Sequence, residues 1–449
     1  MEKKHLFIYT FGCQMNVHDS EKIETLMLPA GYESCDDVEK ADLIIINTCS
    51  IREKAAQKVY SLLGRLKRMK RIKPELIIGV GGCLAQQWGT KFVQIVPFLD
   101  LVFGTHNIHL LPELVTTIEK KKTPIVQTDF HQSVKSLGVT PLKKNGAIHA
   151  FVTIMQGCNN FCSYCVVPYV RGREESRPFQ DIISEIKNLA DYGVKEITLL
   201  GQNVNSYGRT IGNGYDFADL LQDIGQIEGI ERIRFTTSHP KDLSDKLILC
   251  FSKIDKLCEH IHLPVQAGSD RILEMMNRSY TIAEYMNRVD KLRNVCPHIS
   301  ITSDIIVGFP GETDKDFQAT IDIMEKIMFD NTFSFKYSER EGTAASRLSD
   351  KISEYLKSER LQLVQCLQKR HTLEKNITMI GKVEEVLVED TSRNSSQDLT
   401  GRTRTNRIVN FKGNKELIGK TISTIIKNAY QNSLRGELAY KEVTQCSLR

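Results

Sequence analysis

No run in this 449-residue chain approaches the roughly 18 to 20 consecutive apolar residues that a bilayer-spanning helix requires. The opening, MEKKHLFIYTFGCQMN, has too short an apolar run for a secretory signal and no small-residue cleavage site. A cytoplasmic location without a membrane partner is therefore expected. The composition of disorder is missing as well: 41% of residues are hydrophobic and 26% charged, as in a folded globular protein. The length is too great for one ordinary core, which implies two or three domains. Nor is there a large excess of charge, the net value being +5. Its distribution says more. Residues 376–449 carry a net +4, and RLKRMKRIK (65–73) holds six cations in nine positions. That run alone reads equally well as a solvated helix face, but two basic regions in one chain point toward a polyanion such as RNA.

Cysteine is not scarce. There are twelve, and in a reducing compartment they indicate metal or redox chemistry more than a disulfide framework. In GCNNFCSYC (157–165), Cys158, Cys162 and Cys165 crowd within eight residues, and no fourth ligand follows. A structural zinc site takes four protein ligands, and a ferredoxin-type cluster is usually held by four cysteines. The set either leaves a metal position open or draws a ligand from elsewhere.

Three further cysteines each end a short apolar, β-rich run: HLFIYTFGC (5–13), ADLIIINTC (41–49) and ELIIGVGGC (75–83). Helix-like stretches separate them, and Ser50 with Glu53 has capping-box spacing directly after Cys49. The alternation predicts a doubly wound parallel sheet, and strands as apolar as LIIIN fit burial on both faces. In such a sheet the strand carboxyl ends share one edge, where ligands bind. Cys13, Cys49 and Cys83 are thereby predicted to converge on a shared metal site, against the alternative that each is only a small buried hydrophobe.

After a connector (121–145) the rhythm resumes. FVTIM (151–155), EITLLG (196–201), RIRFTT (232–237), HIHLPV (260–265), SITSDIIVG (300–308) and TFSFKY (332–337) read as six strands separated by helix-like segments. They predict a closed or partly closed barrel whose function gathers at the strand carboxyl ends. The Cys158 set follows the first strand. Gly201-Gln202-Asn203, Ser238-His239-Pro240, Gln266 and Gly308-Phe309-Pro310-Gly311-Glu312 stand at other strand ends. His239 reads as a hydrogen-bonding loop residue in preference to a metal ligand, and the glycines serve equally as turn residues.

The spacing Cys158-x3-Cys162-x2-Cys165 after a first barrel strand, with Tyr164 before the last cysteine, resembles the hallmark of the radical S-adenosylmethionine (SAM) enzymes. FGCQMN, NTCSIREKA, GGCLAQ, CSYCVVPYVRGREESRP, LLGQNVNSYG, VGFPGET and GRTRTNRIVNF, in that order, are similar to the methylthiotransferases. Most similar is the branch that converts N6-isopentenyladenosine, beside the anticodon of tRNA, to its 2-methylthio derivative. The resemblance implies two [4Fe-4S] clusters. One, on Cys158, Cys162 and Cys165, leaves an iron free to bind SAM and generate the 5′-deoxyadenosyl radical. The other, on Cys13, Cys49 and Cys83, carries sulfur that a second SAM methylates. A radical route suits carbon 2 of adenine, an unactivated aromatic C–H, and the cofactor carries the hard step. No side chain is implied as catalytic beyond the cluster-bound cofactors. SAM contacts are expected from Tyr164, Gly201, Gln202, Asn203, Gly308, Gly311 and Glu312, with Gln202 and Asn203 standing where the superfamily's Gly-Gly-Glu motif has Gly and Glu. The implied partners are tRNA and a flavodoxin or ferredoxin as electron donor. The oligomeric state stays open, a monomer being compatible.

Residues 351–375 read as a charged amphipathic connecting helix, followed by short β runs (KVEEVLVED, LTGRTRTNRIVNF, KTISTIIKNAY) that predict a small antiparallel barrel. Arg402, Arg404 and Arg407 fall in one strand-like stretch, the first two on one face at the two-residue period. Such a basic barrel resembles the TRAM domain, an RNA-binding module of the oligonucleotide-binding type; a capping or dimerisation barrel is the alternative. Cys35, Cys250, Cys258, Cys296, Cys366 and Cys446 share no cluster spacing and are read as structural. The expected fold is α/β: a doubly wound sheet domain (1–120), the connector, a partial (β/α)6 radical SAM core (146–375) and the TRAM barrel (376–442). Sister methylthiotransferases acting on threonylcarbamoyladenosine in tRNA or on a ribosomal-protein aspartate are the near alternatives. A metal-stabilised RNA-binding protein without turnover is the distant one, disfavoured because open metal positions mark catalytic sites.

Overall fold

Each of the three cysteine-ending runs forms a strand that stops just before its cysteine. The computed structural model describes residues 3–50, 53–131, 138–141, 146–212, 214–393, 395 and 397–439, with the backbone alone over 53–57. The Glu53 side chain of the expected capping box, parts of the connector (132–137 and 142–145) and Cys446 are not among what the structure describes. The chain folds as two compact units. The first comprises Met1–Gly229, Phe235–Thr237 and Ser338–Leu348; the second comprises Ile230–Arg234, Ser238–Tyr337 and Ser349–Arg449. No helix among the described residues is long and apolar enough to cross a membrane.

The first unit opens with strands β1 (Lys4–Phe11), β2 (Tyr32–Ser34), β3 (Leu43–Thr48), β4 (Ile77–Gly82), β5 (Leu101–Phe103) and β6 (Ile125–Gln127). They form one sheet in the order β2-β1-β3-β4-β5-β6, every neighbouring pair parallel. Helices α1 (Gln14–Met27), α2 (Glu53–Ile72), α3 (Cys83–Trp88), α4 (Thr90–Ile95) and α5 (Leu111–Lys121) make the connections. The period of two divides the strand side chains between two cores. Ile44, Ile46, Ile78 and Val80 pack with Leu62, Leu63 and Leu66 of α2. Leu43, Ile45 and Ile77 pack with Ile23 and Met27 of α1 and Val115 and Ile118 of α5. Burial on both faces explains why LIIIN lacks polar alternation. Each such side chain contributes about 1.5 to 3 kcal/mol. With β2 on one side of β1 and β3 on the other, the strand order reverses between β1 and β3, the switch point where open α/β sheets bind ligands.

All six predicted barrel strands form. In the first unit β7 (His149–Thr153) is followed by the short antiparallel pair β8 (Met155–Gln156) and β9 (Glu175–Ser176), which flanks α6 (Val167–Arg171). After α7 (Phe179–Asp191), β10 (Glu196–Leu200) pairs in parallel with β7. Then comes α8 (Phe217–Gly225); of the elements that follow, β11 (Arg232–Phe235) lies mostly, and α9 (Asp245–Lys253) wholly, in the second unit. In the second unit β12 (His260–His262), β13 (Ser300–Val307) and β14 (Asn331–Lys336) are parallel neighbours. Helices α10 (Asp270–Met275), α11 (Ile282–Val295), α12 (Asp314–Ile327) and α13 (Glu354–Ile377) accompany them, the last being the predicted connecting helix.

Strands β15 (Val383–Thr391), β16 (Asp398–Thr403), β17 (Ile408–Lys412), β18 (Thr421–Ala429) and β19 (Leu434–Leu438) close a small barrel in the order β15-β16-β17-β19-β18. Two expectations are corrected here. The barrel is mixed, because β17 and β19 pair in parallel. Parity explains it: alternating directions around a ring of five strands must leave one parallel pair. Arg402 and Arg404 also do not share a strand face, since β16 ends at Thr403 and a turn follows, closed by Thr403 N–H donating to Arg407 O at 2.9 Å.

That turn is held by two buried arginines of its own unit. Arg232 donates to Arg402 O at 2.7 Å and to Glu385 Oε1 at 3.0 Å. Arg234 donates to Thr403 O at 2.8 Å and Arg404 O at 3.0 Å. Replacing Arg232 by Met removes a buried charged donor from these part-buried acceptors and is expected to cost about 2 to 3 kcal/mol. A lowered urea midpoint with unchanged slope checks this; an unchanged midpoint contradicts it.

Candidate active site

Cys13 is the N-cap of α1, Cys49 follows β3 directly and Cys83 opens α3 after β4, so adjoining strand ends carry all three. Cys13 is exposed, whereas Cys49 and Cys83 are buried. Two buried asparagines tie these ends together. Asn16 Oδ1 accepts from the Cys13 backbone N–H at 3.2 Å and from its thiol at 3.4 Å. Asn16 Nδ2 donates to Asn47 Oδ1 at 3.1 Å and Thr48 O at 3.3 Å, and Asn47 Nδ2 returns a bond to Asn16 O at 2.8 Å. Thr48 Oγ1 donates to Gly81 O at 2.8 Å, which fixes the end of β4. Gly82 has φ +88, and a Cβ there would lie 2.4 Å from Thr48 O. Sequence reasoning missed Asn16 and Asn47, although both sit inside FGCQMN and NTC. A buried amide between two predicted ligands was the available signal. The three thiols are neighbours, not yet a finished ligand set: no group of three His, Cys, Asp or Glu fit to hold a metal occurs among the described residues.

Burial pushes the Cys83 thiol up to about 12, while the Arg171 guanidinium pulls the other way and the Cys49 and Cys13 charges add to the rise. Arg171 Nε donates to Cys83 Sγ at 3.3 Å, and Nη2 donates to Asp19 Oδ2 at 2.6 Å. Val166 and Val170 pack on the apolar side of Cys83. These contacts come from the segment immediately after Cys165, so within the first unit the two cysteine sets adjoin one another. A second buried pair lies in the same unit, Arg177 to Glu185 at 2.6 Å, and Arg177 also donates to Thr153 O at 2.8 Å.

The Cys158 loop is pinned at its base. Gly157 N–H donates to Gln202 Oε1 at 2.6 Å, Cys158 N–H to Gly172 O at 3.2 Å, and Cys165 N–H to Cys162 O at 2.9 Å. Cys158 and Cys162 are buried, while Cys165 and Tyr164 are half-buried. Burial pushes the Cys158 thiol up to about 11; the Asn160 backbone lowers it and Cys162 raises it. The guanidinium of Arg173 sits 4.4 Å from the Phe161 ring centre. Gly201 packs against Met155, and Asn203 is buried at the start of the next turn. Gln202 therefore acts on the cysteine loop itself, a role its motif position did not suggest.

In the second unit Gly308, Gly311 and Glu312 form one strand-end turn. Gly308 has φ +70, and its N–H donates to Glu312 Oε2 at 2.6 Å. Arg360 of α13 donates to the same oxygen at 2.6 Å, with both side chains buried. Burial raises the Glu312 carboxyl above its ordinary value, against the Gly308 and Arg360 bonds. Gly311 N–H donates to Asp350 O at 2.7 Å. Glu312 thus braces the turn. His239 behaves as the loop residue expected: Nδ1 accepts from Lys241 N–H at 3.3 Å, and the ring meets Tyr280 edge-on at 5.7 Å.

The three arginines of the small barrel all carry carboxylate partners. Arg402 pairs with Glu389 at 3.1 Å, Arg404 with Glu259 at 2.8 Å and Arg407 with Asp330 at 2.6 Å. Arg402 is the most accessible, its side chain 35% exposed. In the run 65–73, Lys70 and Lys73 pair with Asp100 and Asp42, while Arg65, Lys67, Arg68 and Arg71 are exposed. Cys250, Cys258 and Cys296 are buried as structural cysteines should be, but Cys366 is exposed on α13 and does not fit that reading.

Family models match three segments: residues 5–104 the uncharacterized protein family UPF0004, 152–324 the radical SAM superfamily and 378–439 the TRAM domain. Strand–helix units bearing a Cys-x3-Cys-x2-Cys loop at the first strand end thus place the chain in the radical SAM class. It is 62% identical over 447 residues to the tRNA-2-methylthio-N(6)-dimethylallyladenosine synthase of Syntrophus aciditrophicus (strain SB), covering 100% of this chain and 97% of that one. The synthase of the same name from Geobacter sulfurreducens is 52% identical, with 97% and 98% covered. The chain belongs to this synthase family, the radical SAM methylthiotransferases of tRNA. In fold alone it also resembles the radical SAM methyltransferase TsrM from Kitasatospora setae, solved with cobalamin and a [4Fe-4S] cluster, at TM-score 0.57 and 15% identity over 77% of this chain and 74% of that one.

Gly82→Ala is expected to destabilise the first unit by about 2 kcal/mol or more, through left-handed strain and the approach to Thr48 O. Thermal unfolding checks it; a wild-type melting temperature would contradict the close-approach argument.

Proposed function

We propose that this protein methylthiolates carbon 2 of N6-isopentenyladenosine beside the anticodon of tRNA, using two [4Fe-4S] clusters and two SAM molecules. The observation that carries the reading is the adjacency of two three-thiol sets in one compact unit, with Cys83 packed on Val166 and Val170 just beyond Cys165. The donor chemistry fits: thiolates are the ligands iron–sulfur clusters take, and Arg171 supplies a positive charge beside one of them. When bound, the clusters and SAM supply the radical and the sulfur that an unactivated aromatic C–H demands. Cys158, Cys162 and Cys165 hold the radical cluster, and Cys13, Cys49 and Cys83 hold the auxiliary one. Gln202 keeps the Cys158 loop in place through Gly157, and in the second unit Glu312 braces the Gly308 turn. Tyr164, Gly201 and Asn203 complete the proposed SAM surroundings within the first unit. A flavodoxin or ferredoxin is the proposed electron donor and the cytoplasm the proposed location. The proposed domains remain 1–120, 146–375 and 376–442.

Separating the two cysteine sets tests this. Replacing Cys158, Cys162 and Cys165 by Ala should abolish both 5′-deoxyadenosine and methylthio product. Replacing Cys13, Cys49 and Cys83 should abolish the methylthio product while 5′-deoxyadenosine still forms under dithionite. Wild-type product from the second variant, read by nucleoside mass spectrometry, would sink the auxiliary-cluster role.

The barrel is assigned tRNA phosphate contacts through Arg402, Arg404 and Arg407. Arg402 also donates to Asn406 of the turn at 3.2 Å, but it is the most accessible of the three, so Arg402→Ala is the probe. It should weaken tRNA binding and flatten the slope of log K against log salt by about 0.7 to 0.9, leaving SAM binding intact. An unchanged slope would favour a capping barrel.

A further inference from the structure

Arg171 ends α6, the short helix after the Cys165 loop, and is 2% exposed. Its neighbours hold it still. Thr105 Oγ1 donates to Val170 O at 2.6 Å, and His106 Nε2 donates to Arg171 O at 3.0 Å. Of the guanidinium nitrogens, Nε reaches Cys83 Sγ at 3.3 Å and Nη2 reaches Asp19 at 2.6 Å, whereas Nη1 is buried with no hydrogen-bond partner among the described residues. A charged donor left idle in the interior costs several times what an ordinary hydrogen bond gains. The site is built for an acceptor beside Cys83 that the described residues do not provide.

We propose that Arg171 is a positioning residue for the cluster held by Cys13, Cys49 and Cys83, donating to the Cys83 thiolate through Nε and to a cluster sulfide through Nη1, and thereby setting how readily that cluster accepts an electron. The inference rests on the two-cluster reading above. Uptake of one electron, from a low-potential one-electron donor, adds one negative charge to the cluster. A cationic donor on its sulfur atoms stabilises that reduced form and raises the potential. Asp19, on the same guanidinium, offsets part of the positive field, so the two side chains act in opposite directions.

The opposition makes the test decisive. In the full-length C158A/C162A/C165A background only the N-terminal cluster remains, and its iron, sulfide and reduction midpoint can be read by anaerobic reconstitution and EPR-monitored titration with dithionite. Arg171→Met should lower the midpoint, Arg171→Lys should lower it less, and Asp19→Asn should raise it, all at matched iron content. Coincident midpoints, or Met and Asn variants shifting the same way, would overturn the proposal, since generic loosening has no reason to reverse sign. Should Arg171→Met fail to hold a cluster, Arg171→Lys against Asp19→Asn decides on the same criterion. Absence of iron from the background protein itself would instead strike the two-cluster reading.

Discussion

Parallel pairing of β1, β3 and β4 is the constraint on which the N-terminal site depends. Parallel neighbours must end along the same edge, so residues separated by more than thirty positions arrive side by side without any local motif. The ordering β2-β1-β3 opens a switch point between β1 and β3, and Cys13 and Cys49 stand on its two sides. Hydrophobic burial on both faces supplies the rigidity. The Asn16–Asn47 pair then joins the first turn of α1 to the end of β3 and gives both buried amides partners.

Charge is placed in the interior of the first unit at considerable desolvation cost. Arg171–Asp19 and Arg177–Glu185 are both nearly inaccessible. Pairs of this kind add little net stability over an apolar replacement, yet breaking one strands a buried charge. Their value lies in geometry: Asp19 comes from α1 and Arg171 from α6, so the pair fixes the two cysteine-bearing segments against each other. A hydrophobic contact slides; a forked guanidinium held by a carboxylate does not.

Polar residues that the sequence offers as ligand contacts serve in several cases as braces. Glu312 accepts from Gly308 N–H and Arg360, Gln202 accepts from Gly157 N–H, and Arg404 and Arg407 hold the 403–407 turn through Glu259 and Asp330. Loop backbone that approaches a ligand must itself be satisfied, and side chains near the site are the available partners.

The sequence by itself determined the elements and the chemistry: apolar runs of strand length, helical stretches between them, and cysteines at run ends and in a Cys-x3-Cys-x2-Cys spacing are local patterns that survive without coordinates. It also carried the class, because the Cys158 loop is contiguous. Only the tertiary structure decided which side chains complete each set. Arg171 lies 88 residues from Cys83 and 152 from Asp19, and no periodicity links them. Arg232 and Arg234 meet the 402–404 carbonyls from about 170 residues away, and the parallel β17–β19 pair follows from closing five strands into a ring. Local sequence specifies what each segment prefers alone. Which buried charge finds which partner is set by the packing of whole elements, and that information is spread over the entire chain.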